Sequence, residues 1–68
     1  MPSTVIRHIS YDEAARELHI TFTSGELYTY YHVPKQVYAA FRVAFSKGEF
    51  LNAHIKERYD FRRHVRSA

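Results

Sequence analysis

The sequence predicts an α+β domain, an antiparallel three-stranded β-meander followed by two short helices packed on one face (β-β-β-α-α). Three observations support this prediction. Residues 18–23 alternate apolar and polar side chains, with the period of a half-buried strand. A turn signal at Ser24-Gly25 separates this segment from a second run of strong β-formers. Pro34 and Ser46 then mark the starts of two helices.

The predicted strands fill the first half of the chain. The first covers residues 4–11, where β-branched and aromatic residues recur, and it ends at the polar loop 12–16. The second covers residues 18–23 and directs alternate apolar side chains toward the core. The third covers residues 26–32 and is rich in tyrosine. Consecutive strands joined by short loops predict antiparallel pairing.

Pro34 opens the first helix, because the first helical position does not need its missing N–H group. The apolar stripe of this helix is Val37, Phe41, Ala44 and Phe45. Ser46 and Glu49 match a capping box, so the first helix should end near Phe45 and the second begin near Lys47. The apolar stripe of the second helix is Phe50, Leu51, Ile55 and Tyr59.

The length of the loop between the second and third strands decides where Tyr28 and Tyr30 point, and two registers stay open. With a two- or four-residue loop, Phe22 lies opposite Leu27 and both tyrosines share the outer face of the sheet. With a three-residue loop, Gly25 takes the left-handed position of a bulge turn and both tyrosines join the inner face. Because so small a chain needs its rings in the core, the second register is favoured.

The length and composition of the chain limit the number of domains and the kinds of site that it can contain. Its 68 residues predict one domain, and the absence of cysteine excludes disulfides and thiolate metal sites. The N-terminus lacks a signal-peptide core, and no apolar run reaches membrane-spanning length. We therefore expect a soluble, cytoplasmic protein with no membrane partner.

The basic character of the chain is concentrated at its C-terminus. From residue 56 onward five cations accompany two anions, so this segment holds the whole net charge of +3. We expect a single domain over residues 1–60 and a basic, frayed tail over residues 61–68. Concentrated positive charge of this kind is compatible with nucleic-acid binding, and the alternative interpretation is a solvated helix face with a disordered tail.

Three groups of residues recur in a known pattern: Tyr11-Asp12, the motif Gly25-x-x-Tyr28-x-Tyr30-x-x-Val33-Pro34, and the motif Ala44-x-Ser46-x-Gly48-x-Phe50-x-Asn52-x-x-Ile55. Together they resemble the KTSC domain, a short bacterial module that occurs alone or at the C-terminus of some lysyl-tRNA synthetases. The resemblance spans most of residues 5–59. It implies RNA binding, through the synthetase attachment, and it implies no catalytic residue.

The candidate nucleic-acid-binding residues are two sheet aromatics and four cations. The aromatics would stack bases if they face outward, and the cations would contact phosphates in a salt-dependent way. The set is Tyr28, Tyr30, Lys56, Arg62, Arg63 and Arg66. Asn52 is a poor helix former that either presents its amide to a base edge or bonds a nearby backbone group, and the second interpretation is favoured.

No catalytic, metal or cofactor site is predicted. The five histidines lack the close spacing that helps ligands converge on a metal ion. Ser10, Ser24 and Ser46 have local structural explanations, and no carboxylates are paired on one element for acid–base chemistry.

We therefore expect a small non-enzymatic binding module, with RNA or tRNA as its leading partner. The alternative is a protein–protein interaction module that acts through an exposed sheet edge or by self-association. The two hypotheses differ in salt dependence, because phosphate contacts weaken steeply as salt rises and strand addition does not. The partner's identity and the oligomeric state stay open.

Overall fold

The computed structural model describes residues 6–64, which form a four-stranded antiparallel sheet and two short helices. The strands are β1 (Ile6–Asp12), β2 (Glu17–Phe22), β3 (Leu27–Tyr30) and β4 (Phe61–His64), and they lie in that order across the sheet. The helices are α1 (Lys35–Val43) and α2 (Lys47–Phe50), and a π-helical turn, Leu51–Ile55, continues α2. The α+β class is therefore confirmed.

The prediction of a three-stranded sheet is wrong, because residues 61–64 form β4. The sequence places these residues in a frayed tail, but they pair with β3 and set Phe61 opposite Tyr30. The Phe61 ring packs 5.4 Å from the ring of Tyr28 and 5.3 Å from that of Tyr30, and this aromatic packing holds the strand in place. Residues 65–68, the rest of the predicted tail, lie outside the described residues.

Phe22 and Glu26 face each other across the turn, so the loop proper consists of the three residues 23–25, and the inward register of the tyrosines is confirmed. Gly25 has a φ of 96°, in the left-handed region that glycine adopts freely because it lacks a Cβ. Its N–H donates to the Phe22 carbonyl (2.9 Å), and the Phe22 N–H donates to the Glu26 carbonyl (2.9 Å). This bulge turn places Tyr28 and Tyr30 on the inner face of the sheet.

Two elements end earlier than the sequence predicts. β3 stops at Tyr30, because His32 turns the backbone into the left-handed region with a φ of 59°. α1 stops at Val43, because Ala44 adopts an extended ψ of 138°. Phe45 was expected in the apolar stripe of α1, but it lies beyond the helix and is fully exposed.

The helix starts lie where the capping residues indicate. Pro34 occupies the N-cap of α1, one position before the predicted one. Ser46 is the N-cap of α2, and its Oγ accepts a hydrogen bond from the Glu49 N–H (3.3 Å). After α2 the chain widens into the π-helical turn, where the Lys56 N–H donates to the carbonyl of Leu51, five residues earlier (2.8 Å).

The core lies between the inner face of the sheet and the helices. Its buried members are Leu18, Ile20, Tyr30, Val33, Phe41, Leu51 and Ile55. Tyr11 ties β1 to the segment before α1, because its hydroxyl donates to the Val33 carbonyl (2.6 Å) and its ring stacks on Tyr38 at 5.0 Å. Three residues of the predicted apolar stripe, Phe50, Leu51 and Ile55, lie on the second helix and its π-helical turn and pack in or against this core. Tyr59 also packs against the core, but it lies beyond the π-helical turn.

The outer face of the sheet carries polar side chains. Thr29, at its centre, is only 4% exposed. Its hydroxyl is hydrogen-bonded to Nδ1 of His19 (3.0 Å) and to Nε2 of His64 (3.3 Å), so a polar network links β2, β3 and β4. Within residues 6–64, no helix is long and apolar enough to cross a membrane.

Candidate functional site

A groove of about 370 Å³ separates the inner face of the sheet from the second helix. We call it the sheet–helix groove. Its sheet side is lined by Ile6, Phe22, Ser24, Glu26, Tyr28 and Tyr30, and its helix side by Gly48, Leu51, Asn52 and Lys56. A volume of this size lies within the range of small-ligand sites, about 300–1,000 Å³.

Aromatic rings form the sheet side of the groove. Phe22 packs edge-on against Tyr28 at 4.9 Å, and Phe61 stacks on Tyr28 at 5.4 Å. Tyr30 is only 2% exposed, so its ring supports the floor of the groove and has no face free for a base. Tyr28 is half-buried and reaches the groove.

The two tyrosine hydroxyls differ in their environment. Burial raises the pKa of Tyr30 above its ordinary value of 10.0, and the neighbouring Tyr28 adds to the shift. The raised pKa therefore extends to higher pH the range over which the Tyr30 hydroxyl stays protonated and can donate a hydrogen bond.

The π-helical turn supplies the polar groups of the helix side. Asn52 lies within the turn, Lys56 follows it, and both side chains are exposed and line the groove. A π-helical turn contains one residue more than an α-helical turn and is found frequently at functional sites. Here it faces an amide and an ammonium group toward the aromatic side of the groove.

An ion pair lies beside the groove. Arg63 stands opposite Tyr28 in the β3–β4 ladder, and its Nη1 lies 3.5 Å from Oε2 of Glu26, which lines the groove. Arg62, the preceding residue, stands opposite Thr29 and lies on the outer face of the sheet. The two adjacent arginines therefore lie on opposite faces of the sheet.

The structure brings together some of the residues predicted from sequence. Tyr28, Tyr30 and Lys56 line the sheet–helix groove, and Arg63 lies beside it. Arg62 is separated from the groove by the sheet. Arg66 lies outside the described residues.

Two further residues were not predicted from the sequence: Glu26, which lines the groove, and Phe61, which stacks on Tyr28. Glu26 could have been found from the inward register, which places it beside Phe22 across the turn. Phe61 could have been found from its aromatic side chain, directly before the arginine pair. For Asn52 the sequence leaves a base contact open and favours a bond to a nearby backbone group, and the structure places this residue among those that line the groove.

A second depression, of about 410 Å³, lies between α1 and the end of the second helix. It is lined by Gln36, Val37, Ala40, Phe50, His54, Arg58 and Tyr59, and by none of the predicted binding residues. Over residues 6–64, no group of three or more histidine, aspartate or glutamate side chains is placed to hold a metal ion.

Comparison with known proteins relates the chain to one family. The sequence profile of the KTSC domain matches residues 2–59. A crystal structure of a KTSC domain protein from Yersinia pestis superposes with a TM-score of 0.85 at 33% identity, covering 96% of this chain and 94% of that one. β4 begins two residues beyond the segment that the profile matches.

Two relatives contain a segment related to this chain, in proteins of very different length. A protein of Tsukamurella paurometabola is 39% identical over 57 residues, which cover 84% of this chain and 85% of that protein. A lysine–tRNA ligase of Nostoc punctiforme is 38% identical over 58 residues, which cover 85% of this chain and 10% of the enzyme. The related segment is therefore a small part of the ligase and most of the other protein.

Proposed function

Since the chain belongs to the KTSC domain family, we propose that it is a small RNA-binding module without catalytic activity, and that the sheet–helix groove is its binding site. The observation that carries this proposal is the convergence of Tyr28, Asn52 and Lys56 in one groove, with Arg63 beside it. The related segment in a lysine–tRNA ligase supports RNA, tRNA included, as the partner.

The groove offers the two kinds of contact that RNA requires. Lys56, on the helix side of the groove, and Arg63, beside Tyr28 on the sheet side, carry positive charge and would contact phosphates. Tyr28, and Phe61, which is 50% exposed, offer rings on which unstacked bases could pack. Tyr30 supports these rings from below and is not itself a stacking residue.

The test separates the two adjacent arginines. An amide-resolved NMR titration with a mixed-sequence single-stranded RNA would compare the wild type with Arg63→Ala and Arg62→Ala. The two variants lose the same charge from neighbouring positions of one exposed strand, but only Arg63 lies on the groove side. We expect Arg63→Ala to weaken binding about fivefold or more, as the loss of a phosphate contact would, and Arg62→Ala to change it far less.

Three controls complete the titration. An unrelated polyanion tests whether the response is specific to RNA, and a moderate-salt repeat tests for phosphate contacts. Arg58 is two residues from Lys56 in the sequence but lines the second depression. Arg58→Ala should therefore leave the affinity for RNA nearly unchanged. Equal losses in Arg62→Ala and Arg63→Ala, or an equal response to the polyanion, would remove the groove from the proposal.

A protein-interaction module is the second candidate, and β4 is the observation that favours it. All four residues of this edge strand are exposed, and within residues 6–64 no strand pairs with its outer side, to which a partner strand could add. The opposite edge is less suitable, because a register irregularity between Ile6 and His8 disrupts β1. Concentration-dependent sedimentation that is insensitive to salt would support this candidate over RNA binding.

A further inference from the structure

The side chains that line the sheet–helix groove favour one kind of RNA nucleotide as the ligand. Resting on the proposed function, we infer that the groove binds a single unpaired guanosine nucleotide of an RNA strand. The base enters the groove with its Watson–Crick edge toward Glu26 and Asn52, and its phosphate stays outside at Lys56.

The shape of the groove excludes a paired base. The groove is enclosed by the sheet on one side and by the second helix on the other, and it holds about 370 Å³. A base inside a duplex is stacked above and below and cannot enter such a space. A nucleotide of a loop or a free end can enter it and pack against the aromatic ring of Tyr28.

Glu26 selects among the four bases, because it is the one carboxylate among the residues that line the groove. An ionised carboxylate only accepts hydrogen bonds and offers two oxygens side by side. Guanine alone presents two adjacent N–H donors, N1–H and the N2 amino group, on its Watson–Crick edge. Adenine, cytosine and uracil present one donor group there, so each would leave a carboxylate oxygen unpaired.

Asn52 completes the reading of the base. Its amide nitrogen is a donor, and the O6 atom of guanine, next to N1–H, is an acceptor. The side chain is exposed at the groove on the π-helical turn, so no rearrangement of the backbone is needed to reach a ligand.

The ion pair beside the groove is part of the same arrangement. Arg63 lies 3.5 Å from Glu26, which neutralises the carboxylate and lowers the repulsion between this acid and an incoming phosphate. When guanine donates hydrogen bonds to the carboxylate oxygens of Glu26, the guanidinium group of Arg63 becomes free to contact a phosphate of the RNA backbone. Lys56 then holds the phosphate of the bound nucleotide.

The first experiment uses the full chain and five small ligands: GMP, AMP, CMP, UMP and ribose 5-phosphate. Affinities come from NMR titration of the amide signals. We expect GMP to bind about tenfold or more tightly than the other four, with shifts at Glu26, Tyr28 and Asn52. Ribose 5-phosphate controls for binding of the phosphate alone.

The second experiment uses Glu26→Gln, because this change removes a negative charge and should by itself favour any polyanion. We expect the variant to lose the preference for GMP while it binds a guanine-free single-stranded RNA at least as tightly as the wild type. Glu13→Gln is the matched control, since Glu13 is also paired with a cation, Lys35 at 3.4 Å, and does not line the groove. The amide spectrum confirms that each variant is folded.

The outcomes distinguish this inference from the proposed function. Equal affinity for GMP, AMP, CMP and UMP would overturn the inference and leave RNA binding intact. A retained GMP preference in Glu26→Gln would also overturn it. The absence of any RNA binding at low salt would overturn both.

Discussion

Tyr30 shows how one buried hydroxyl makes the stability of the domain depend on pH. Its pKa is raised by burial and by Tyr28, whereas in the unfolded chain it has the ordinary value of 10.0. As pH rises, the unfolded state loses this proton first and binds fewer protons than the folded state. The free energy of unfolding therefore falls as pH rises above 10.0 and through the folded-state pKa.

We expect Tyr30→Phe to flatten this dependence, because the variant keeps the ring and lacks the titrating group. Urea midpoints measured between about pH 9 and pH 11 would check the expectation. Below that range the pKa shift contributes no difference in slope between the two proteins. Parallel profiles for Tyr30→Phe and the wild type up to pH 11 would show that Tyr30 does not carry the effect.

At the residue scale, the sequence could name candidate binding residues, but it could not determine which face of the sheet they lie on. Gly25 allowed two registers, and only the hydrogen bonds across the turn decide between them. The sequence indicates the basic tail as a candidate source of phosphate contacts, but strand pairing places Arg62 and Arg63 on opposite faces of the sheet. Composition alone cannot predict this alternation, because the two arginines lie on opposite faces only if the segment is a strand.

At the scale of elements, Ser46 is important because α2 has only four residues before the π-helical turn. So short a helix gains little from its internal hydrogen bonds, and its cap is a large share of its local stability. We expect Ser46→Ala to lower the free energy of unfolding by about 1 kcal/mol, measured by urea unfolding. Ser10→Ala, on the exposed surface of β1, is the matched control and should change it much less.

The capping signal also shows why some element boundaries could be predicted and others could not. Ser46 and Glu49 predict a helix start from local chemistry alone, and the structure confirms it. β4 has no such local signal, because Phe61–His64 contains three basic or titratable polar side chains and one aromatic ring. Its strand conformation comes from pairing with β3 and from the contacts of Phe61, which are distant in sequence.

At the scale of the whole molecule, the fourth strand changes the boundary of the folding unit. Truncation after Asp60 removes the Phe61 ring from Tyr28 and Tyr30 and removes the ion pair of Arg63 with Glu26. We expect this truncation to lower the free energy of unfolding by at least about 1 kcal/mol, since aromatic contacts of this kind contribute that much beyond their buried area. Urea unfolding monitored by circular dichroism would measure it.

Truncation after His64 is the control, because it keeps β4 and removes only residues that follow it. It should unfold at nearly the same urea concentration as the full chain. Equal stability of the shorter truncation and the full chain would instead support the frayed tail that the sequence predicts.

The order of the strands along the chain has a kinetic consequence. β1, β2 and β3 are joined by short turns and can pair soon after the chain begins to collapse, whereas β3 and β4 are separated by both helices. Closing that longer loop costs more chain entropy, so β4 should dock after the rate-limiting step of folding. Contacts that form after the rate-limiting step stabilise the native state without increasing the folding rate. Weakening the contacts of Phe61 with Tyr28 and Tyr30 should therefore accelerate unfolding and leave the folding rate almost unchanged.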